Sequence, residues 1–188
     1  AGGMSTIRPS EALEQALTFD CEGETLLGIL HPANVGNRRG VLLVVGGPQY
    51  RVGSHRQFLL LARDLAAAGI PVLRFDYRGM GDSGGELRDF ADVGQDIRAA
   101  IDAFQQALPE IDEVIIWGLC DAASAAALAA ASAAPLAASS LFLAASTSAV
   151  ARATSRSACI SRILASLACL PAKTARAAMG GNRLSGRL

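Results

Sequence analysis

Two short apolar-containing stretches, Ala16 to Asp20 and Glu24 to Leu30, read as strands, and the polar Cys21-Glu22-Gly23 between them predicts a hairpin. Val41 to Val45 is an unbroken apolar, largely β-branched run, the mark of a strand buried on both faces of a parallel sheet. Ser54, followed three residues later by Gln57, has the capping-box pattern and predicts a leucine-rich helix through Ala68 that stops at Gly69. Ile70 to Phe75 reads as the next strand. Phe90, Val93, Ile97, Ile101 and Phe104 then recur at helical spacing with charges between them, so an amphipathic helix is expected from around Leu87 to near Pro109. A strand at Val114 to Trp117, an Ala-rich helix and a strand at Ser140 to Ala144 complete a β-β-β-α-β-α-β-α-β order. This alternation predicts an α/β fold, a mostly parallel sheet with helices on both faces, entered through an N-terminal hairpin. Residues 15–146 form the recognisable core of a single domain spanning 1–188. The segment 147–188, rich in Ala, Ser and Arg and weak in periodicity, receives no assignment.

The candidate chemistry lies where the last buried strand meets its helix. Glu113 to Ala127, EVIIWGLCDAASAAA, carries a β-favouring run through Gly118-Leu119-Cys120-Asp121-Ala122 into a small-residue helix. A strand-turn-helix of the form G-x-nucleophile-x-small is the nucleophile elbow, whose strained turn lifts the reactive side chain above the sheet. Small neighbours are needed because the turn brings strand and helix backbones together; Gly118 meets the need, Ala122 and Ala123 less fully. Cys120 is therefore the expected nucleophile, and the first helix N–H groups behind it would favour its thiolate. The competing reading makes Cys120 a small buried apolar residue at a strand end, since free cysteine is among the most buried residue types.

Composition narrows the partners. With 17 acidic and 17 basic residues the formal charge is zero, so no strong pull toward nucleic acid or an anionic membrane is implied. The four cysteines and two histidines show neither a C-x-x-C pair nor metal-ligand spacing. No metal or cofactor is expected, and a reduced, cytoplasmic setting is the simplest reading. The N-terminal stretch has charges where a signal peptide needs an apolar run, and Ala1 to Gly3 before Met4 read as upstream read-through or an added remnant, so no export is expected. Ala122 to Ala151 is uncharged, but Ala and Ser are only marginally apolar and Pro135 interrupts, so no membrane span is expected. Gly79-Met80-Gly81-Asp82-Ser83-Gly84 fits G-x-G-x-x-G. Here the glycines follow a polar Asp76-Tyr77-Arg78 segment and do not open a helix, as a dinucleotide fingerprint requires.

Three strings, VVGGPQYRVGSHRQF (Val44 to Phe58), VLRFDYRGMGDSGG (Val72 to Gly85) and WGLCDAASAA (Trp117 to Ala126), resemble the α/β-hydrolase fold. More closely, they resemble the hydrolases associated with the exosortase A system, of the type called hydrolase 1. The resemblance implies a bacterial cytoplasmic hydrolase encoded alongside exopolysaccharide and protein-sorting functions. It further implies an oxyanion hole made by the backbone N–H of Gly47, after the third strand, and that of Asp121, after the nucleophile. Pro48 has no N–H to give. His55 and Arg56, on the expected first helical turn beside that loop, either face the mouth of the site and bind an anionic substrate group or belong to a solvated helix start, with Arg51 and Arg56 as surface charge. In the D-x-R-G-x-G-x-S turn, Arg78, Asp76 and Asp82 are expected to brace the loop, and His31, before Pro32, is expected as a surface turn residue.

The fold named by that resemblance places its triad acid and histidine after the nucleophile along the chain. Here no acid follows Asp121 and no histidine follows His55, although seven basic residues lie beyond Asp121. The chain is thus expected to lack the later strands and to be inactive or feeble. It is either a truncated or pseudoenzyme form or the product of a reading-frame change shortly after the elbow; the second is preferred, because ordinary domains are about a quarter charged. The expected activity of an intact form is cleavage of a small-molecule ester or thioester by Cys120. Acyl transfer to an acceptor other than water is equally compatible, and a non-catalytic binding or scaffold protein that keeps the fold is the alternative from a different class.

Overall fold

The computed structural model describes residues 14–33, 37–46, 49–132 and 140–146, the last seven and 130–132 by backbone alone. Its strands are β1 (Gln15–Cys21), β2 (Glu24–His31), β3 (Arg39–Val44), β4 (Val72–Phe75), β5 (Glu113–Leu119) and β6 (Ser140–Ser146). Its helices are α1 (Gln57–Ala67), α2 (Gly94–Ala107) and α3 (Asp121–Ser132). The strands form one sheet in the order β1-β2-β4-β3-β5-β6. The hairpin β1–β2 joins the sheet antiparallel to β4, while β4, β3, β5 and β6 run parallel.

The continuous apolar runs are explained by burial on both faces. Alternate residues of β3 go to opposite sides: Val41 and Leu43, with Val72, Ile115 and Trp117, pack under Phe58, Leu61 and Leu65 of α1. Leu42 and Val44, with Leu73, Phe75, Val114 and Ile116, pack under Ile97, Ile101 and Phe104 of α2 and Ala122, Ala125 and Ala126 of α3. The sheet is therefore covered on both sides, as the pattern of strands and helices predicts. No helix among the described residues is long and apolar enough to cross a membrane.

Three local expectations are corrected. The helix expected from Ser54 begins at Gln57, after a short 3-10 turn, Ser54–Arg56, and neither start has a side-chain cap. The reason is that the carbonyl of Val52 accepts from the N–H groups of Phe58 and Leu59, and the Ser54 N–H is given to the Gln49 side chain. Those orphan donors are thus already satisfied without Ser54 as a cap. The amphipathic helix begins at Gly94, not around Leu87, which leaves Phe90 40% exposed in the preceding loop. Segment 147–188 and the remaining undescribed positions lie outside the described residues.

His31 is the third correction. It is 2% exposed rather than a surface turn residue. Antiparallel pairing sets it opposite Val72, beside Arg74, whose Nε donates to His31 Nε2 at 2.8 Å. An imidazole that accepts from a guanidinium must be neutral at that nitrogen. Burial first, and then the charge of Arg74, push the His31 pKa down to about 4. Its native value lies below the unfolded one, so the unfolded chain binds the extra proton, and this contribution to stability is full above about pH 6.5 and is lost as pH falls through about 4. The shift sets an upper bound of about 3 kcal/mol on the loss. His31→Gln keeps an acceptor for Arg74 without the titration. Urea unfolding at several pH values should show the wild type losing stability relative to this variant between pH 6.5 and 4; parallel curves would contradict the buried neutral imidazole.

Candidate active site

Cys120 is the single residue between β5 and α3, and its φ of 53° places it in the left-handed region that non-glycine residues rarely occupy. Such a conformation costs on the order of 1–3 kcal/mol and persists only where the surroundings enforce it. Here they do. A Cβ placed on Gly118 would lie 2.7 Å from the Ala122 Cβ and 2.8 Å from the Ala122 carbonyl carbon. One placed on Gly46, in the loop leaving β3, would lie 2.7 Å from the Ala122 nitrogen and 2.8 Å from the Leu119 oxygen. Two glycines and a buried alanine thus let three backbone segments converge under Cys120, and the Ala123 N–H closes the turn by donating to the Cys120 carbonyl at 2.9 Å.

The result is an exposed cysteine in the one-residue turn immediately before a helix N-terminus. Cys21 differs in every respect. It is buried at the end of β1, and burial and then the Asp96 charge push its thiol pKa up, which keeps it protonated. A cavity of about 500 Å³ beside Cys21, between β1 and α2, is lined by Phe19, Arg98 and Asp102 and lies at the β1 end of the sheet, away from the elbow.

Two carboxylates anchor the loops around the elbow. Asp76, at the end of β4 and 1% exposed, accepts from the Arg51 backbone N–H at 2.5 Å and from the Arg51 guanidinium, which also bonds Asp82 at 2.5 Å. The loop leaving β3 is thereby tied to the turn leaving β4. Arg51 is neither a free surface charge nor placed to take an anionic substrate. Arg78, 3% exposed, does not pair with Asp76 or Asp82. It clasps both oxygens of the fully buried Asp96 on α2, at 3.0 and 2.8 Å, and bonds Glu22. Asp96, the first cause, holds the Arg78 guanidinium charged by raising its pKa. The glycines of the same turn are filled by the chain itself: a Cβ on Gly81 would meet the Asp76 carboxylate at 2.2 Å, and one on Gly79 the Leu87 nitrogen at 2.2 Å. This accounts for G-x-G-x-x-G without a nucleotide.

Of the other expected site residues, Asp121 is the first residue of α3 and exposed. Gly47 lies outside the described residues, although Gly46 brings the loop against Leu119 and Ala122. His55 and Arg56 are exposed and left-handed, at φ 50° and 61°, in the 3-10 turn rather than on a helix. His31 is out of reach of Cys120. It is level with Val72 and hence, across β3, with Ile115, five residues before Cys120. That is ~16 Å along the strand, and the three strand spacings from β2 to β5 add ~14 Å sideways. What sequence reasoning missed is a second cavity, of about 450 Å³, which touches Asp121 and is lined by Tyr50, Tyr77, Met80, Leu87 and Phe90. Its signal was the pair of large apolar residues in a polar loop, Leu87 and Phe90, the second of which was assigned to a helix face.

The chain matches the Alpha/beta hydrolase family over residues 41–186 and belongs to that family. No curated protein matches it. Among solved structures, it is similar to the α/β hydrolase GrgF of Penicillium sp. sh18, at 27% identity and a TM-score of 0.56 over 64% of this chain and 42% of that one. XC6422 of Xanthomonas campestris, an α/β serine hydrolase without a lid, shares 25% identity at a TM-score of 0.51 over 64% of this chain and 56% of that one. The Pyrococcus furiosus esterase Pf2001 shares the fold at 21% identity and a TM-score of 0.54, over 67% of this chain and 49% of that one. The chain thus spans about half the length of these structures.

The convergence under Cys120 makes a sharp prediction. Gly46→Ala must push a methyl group into backbone atoms that cannot turn aside, and should lower the free energy of unfolding in urea by about 1–3 kcal/mol. Gly94→Ala, at the first position of α2 with nothing within 4 Å, should be neutral or stabilising by up to ~1 kcal/mol. Equal stability of the two variants would mean that the loop does not approach the elbow.

Proposed function

We propose that this chain carries the nucleophile half of an esterase or thioesterase site, with Cys120 as the attacking group. The supporting observation is an exposed side chain held at positive φ between a buried strand and a helix N-terminus, with small residues wherever the backbones meet. Strain of this kind is retained where a reactive group must be presented. In the reaction, Cys120 Sγ bonds to the substrate's carbonyl carbon and the alcohol or thiol leaves with the proton the thiol gives up, producing an acyl-enzyme. The N–H of Asp121 and that of Gly47 stabilise the oxyanion, a reading favoured by the contact of the Gly46 loop with Leu119 and Ala122.

Deacylation is the slow half. No histidine follows Cys120 in the sequence, where this fold carries the histidine of its triad, and a missing general base costs typically about a hundred- to ten-thousandfold. The chain therefore acylates without efficient turnover, and an acceptor other than water would serve equally. The resemblance of its three strings to exosortase A system-associated hydrolases supports a bacterial exopolysaccharide setting and a cytoplasmic location.

Intact-mass spectrometry after exposure to p-nitrophenyl acetate at pH 7 provides the test. A single acetyl adduct that is absent from Cys120→Ala, with little p-nitrophenol released beyond one equivalent, is the expected result. Equal labelling of both proteins would reduce the elbow to a non-catalytic remnant of the fold.

A further inference from the structure

The cavity beside the elbow has the composition of a ligand site. Its volume of about 450 Å³ is within the range of small-molecule pockets. Among the described residues, Tyr50, Leu87, Phe90 and Leu128 are the large hydrophobic side chains left exposed, and the first three all line this one cavity. Tyr77 and Met80, nearly buried, form the apolar wall behind them. Apolar side chains gathered in one concavity beside a reactive group mark a place where a ligand, rather than the protein core, completes the burial.

The loop that presents them is fixed in place. Gly79 leaves no room for a Cβ because the backbone at Leu87 packs directly on it, so the segment from Leu87 to Phe90 is docked against the turn that Asp76 and Arg51 anchor. The cavity also has a charge preference. Asp89 and Asp121 line it against the single cation Arg88. The phenol of Tyr77 in its wall registers the same field: burial first, and then Asp121 and Asp89, push its pKa up. A carboxylate or phosphate would meet net repulsion there, and His55 and Arg56, the residues suited to an anion, do not line the cavity.

We propose that this cavity is the acyl-chain subsite of the Cys120 centre and takes an uncharged, apolar acyl chain, which runs from the thiol past Asp121 onto Tyr77, Leu87 and Phe90. The assignment rests on the nucleophile reading only for the identity of the reacting end; the pocket's preference for neutral, apolar chains stands on its lining.

The test is made on full-length Cys120→Ala, which cannot react, by ligand-observed NMR titration with N-methyloctanamide and with octanoate at pH 7. Saturable binding of the amide is expected, with octanoate at least about tenfold weaker. Adding Leu87→Ser and Phe90→Ser, both at exposed loop positions, should weaken amide binding at least about tenfold while the far-UV circular dichroism is retained. No saturable binding of the amide, equal binding of octanoate, or indifference to the two serine substitutions would each overturn the subsite. Because the thiol is absent, the result is independent of acylation: amide binding without an acyl adduct in the wild type would remove the nucleophile and keep the pocket, and an adduct without amide binding would do the reverse.

Discussion

Everything near the candidate site depends on how closely three backbone segments can approach one another. The end of β5, the start of α3 and the loop leaving β3 meet at Gly118, Ala122 and Gly46, where even one additional methyl group has no space. Because protein interiors are close-packed, that contact is a constraint and not a preference. It forces the residue between strand and helix into the left-handed region, and the residue there is Cys120. The same contact that strains the backbone therefore leaves Cys120 exposed in the turn that opens α3.

Around this contact the loops are secured by buried charge. Asp76 holds the loop after β3 through the backbone and guanidinium of Arg51, and Asp96 holds the turn after β4 through Arg78. Buried ion pairs contribute little net stability over a hydrophobic replacement, but losing one partner strands the other and costs several kcal/mol. Their effect here is geometric. They define where the β3 loop and the segment from Leu87 to Phe90 sit relative to the elbow, and so shape the cavity beside Cys120.

Legibility from sequence followed the range of the interactions. Strands buried on both faces were plain in the apolar runs of β3, β4 and β5, and the elbow was plain in Gly118-Leu119-Cys120-Asp121-Ala122, because both signals are local. Errors came where a distant residue decided the outcome. His31 looks like a turn residue before Pro32, yet pairing with β4 buries it against Arg74. Arg78 braces its loop as expected, but through Asp96, 18 positions on, a partner that no local pattern reveals. Phe90 continued the helical period of Ile97 and Phe104 by coincidence and instead lines a cavity, since α2 starts only at Gly94. The capping signal at Ser54 was overridden by the Val52 carbonyl, a backbone acceptor that no side-chain pattern reveals. The contact of Gly46 with Ala122 was not legible, because it required the fold.

The central claim is that Cys120 is an exposed, presented thiol while Cys21 is a buried, inert one. Competitive alkylation with isotope-coded iodoacetamide, read at each cysteine by peptide mass spectrometry in the native and the urea-unfolded protein, tests it most directly. The elbow geometry predicts native labelling at Cys120 at least about tenfold faster than at Cys21, with the difference vanishing on unfolding. Comparable native rates at the two residues would contradict it, because Cys120 would then be no more presented to solvent than a core cysteine.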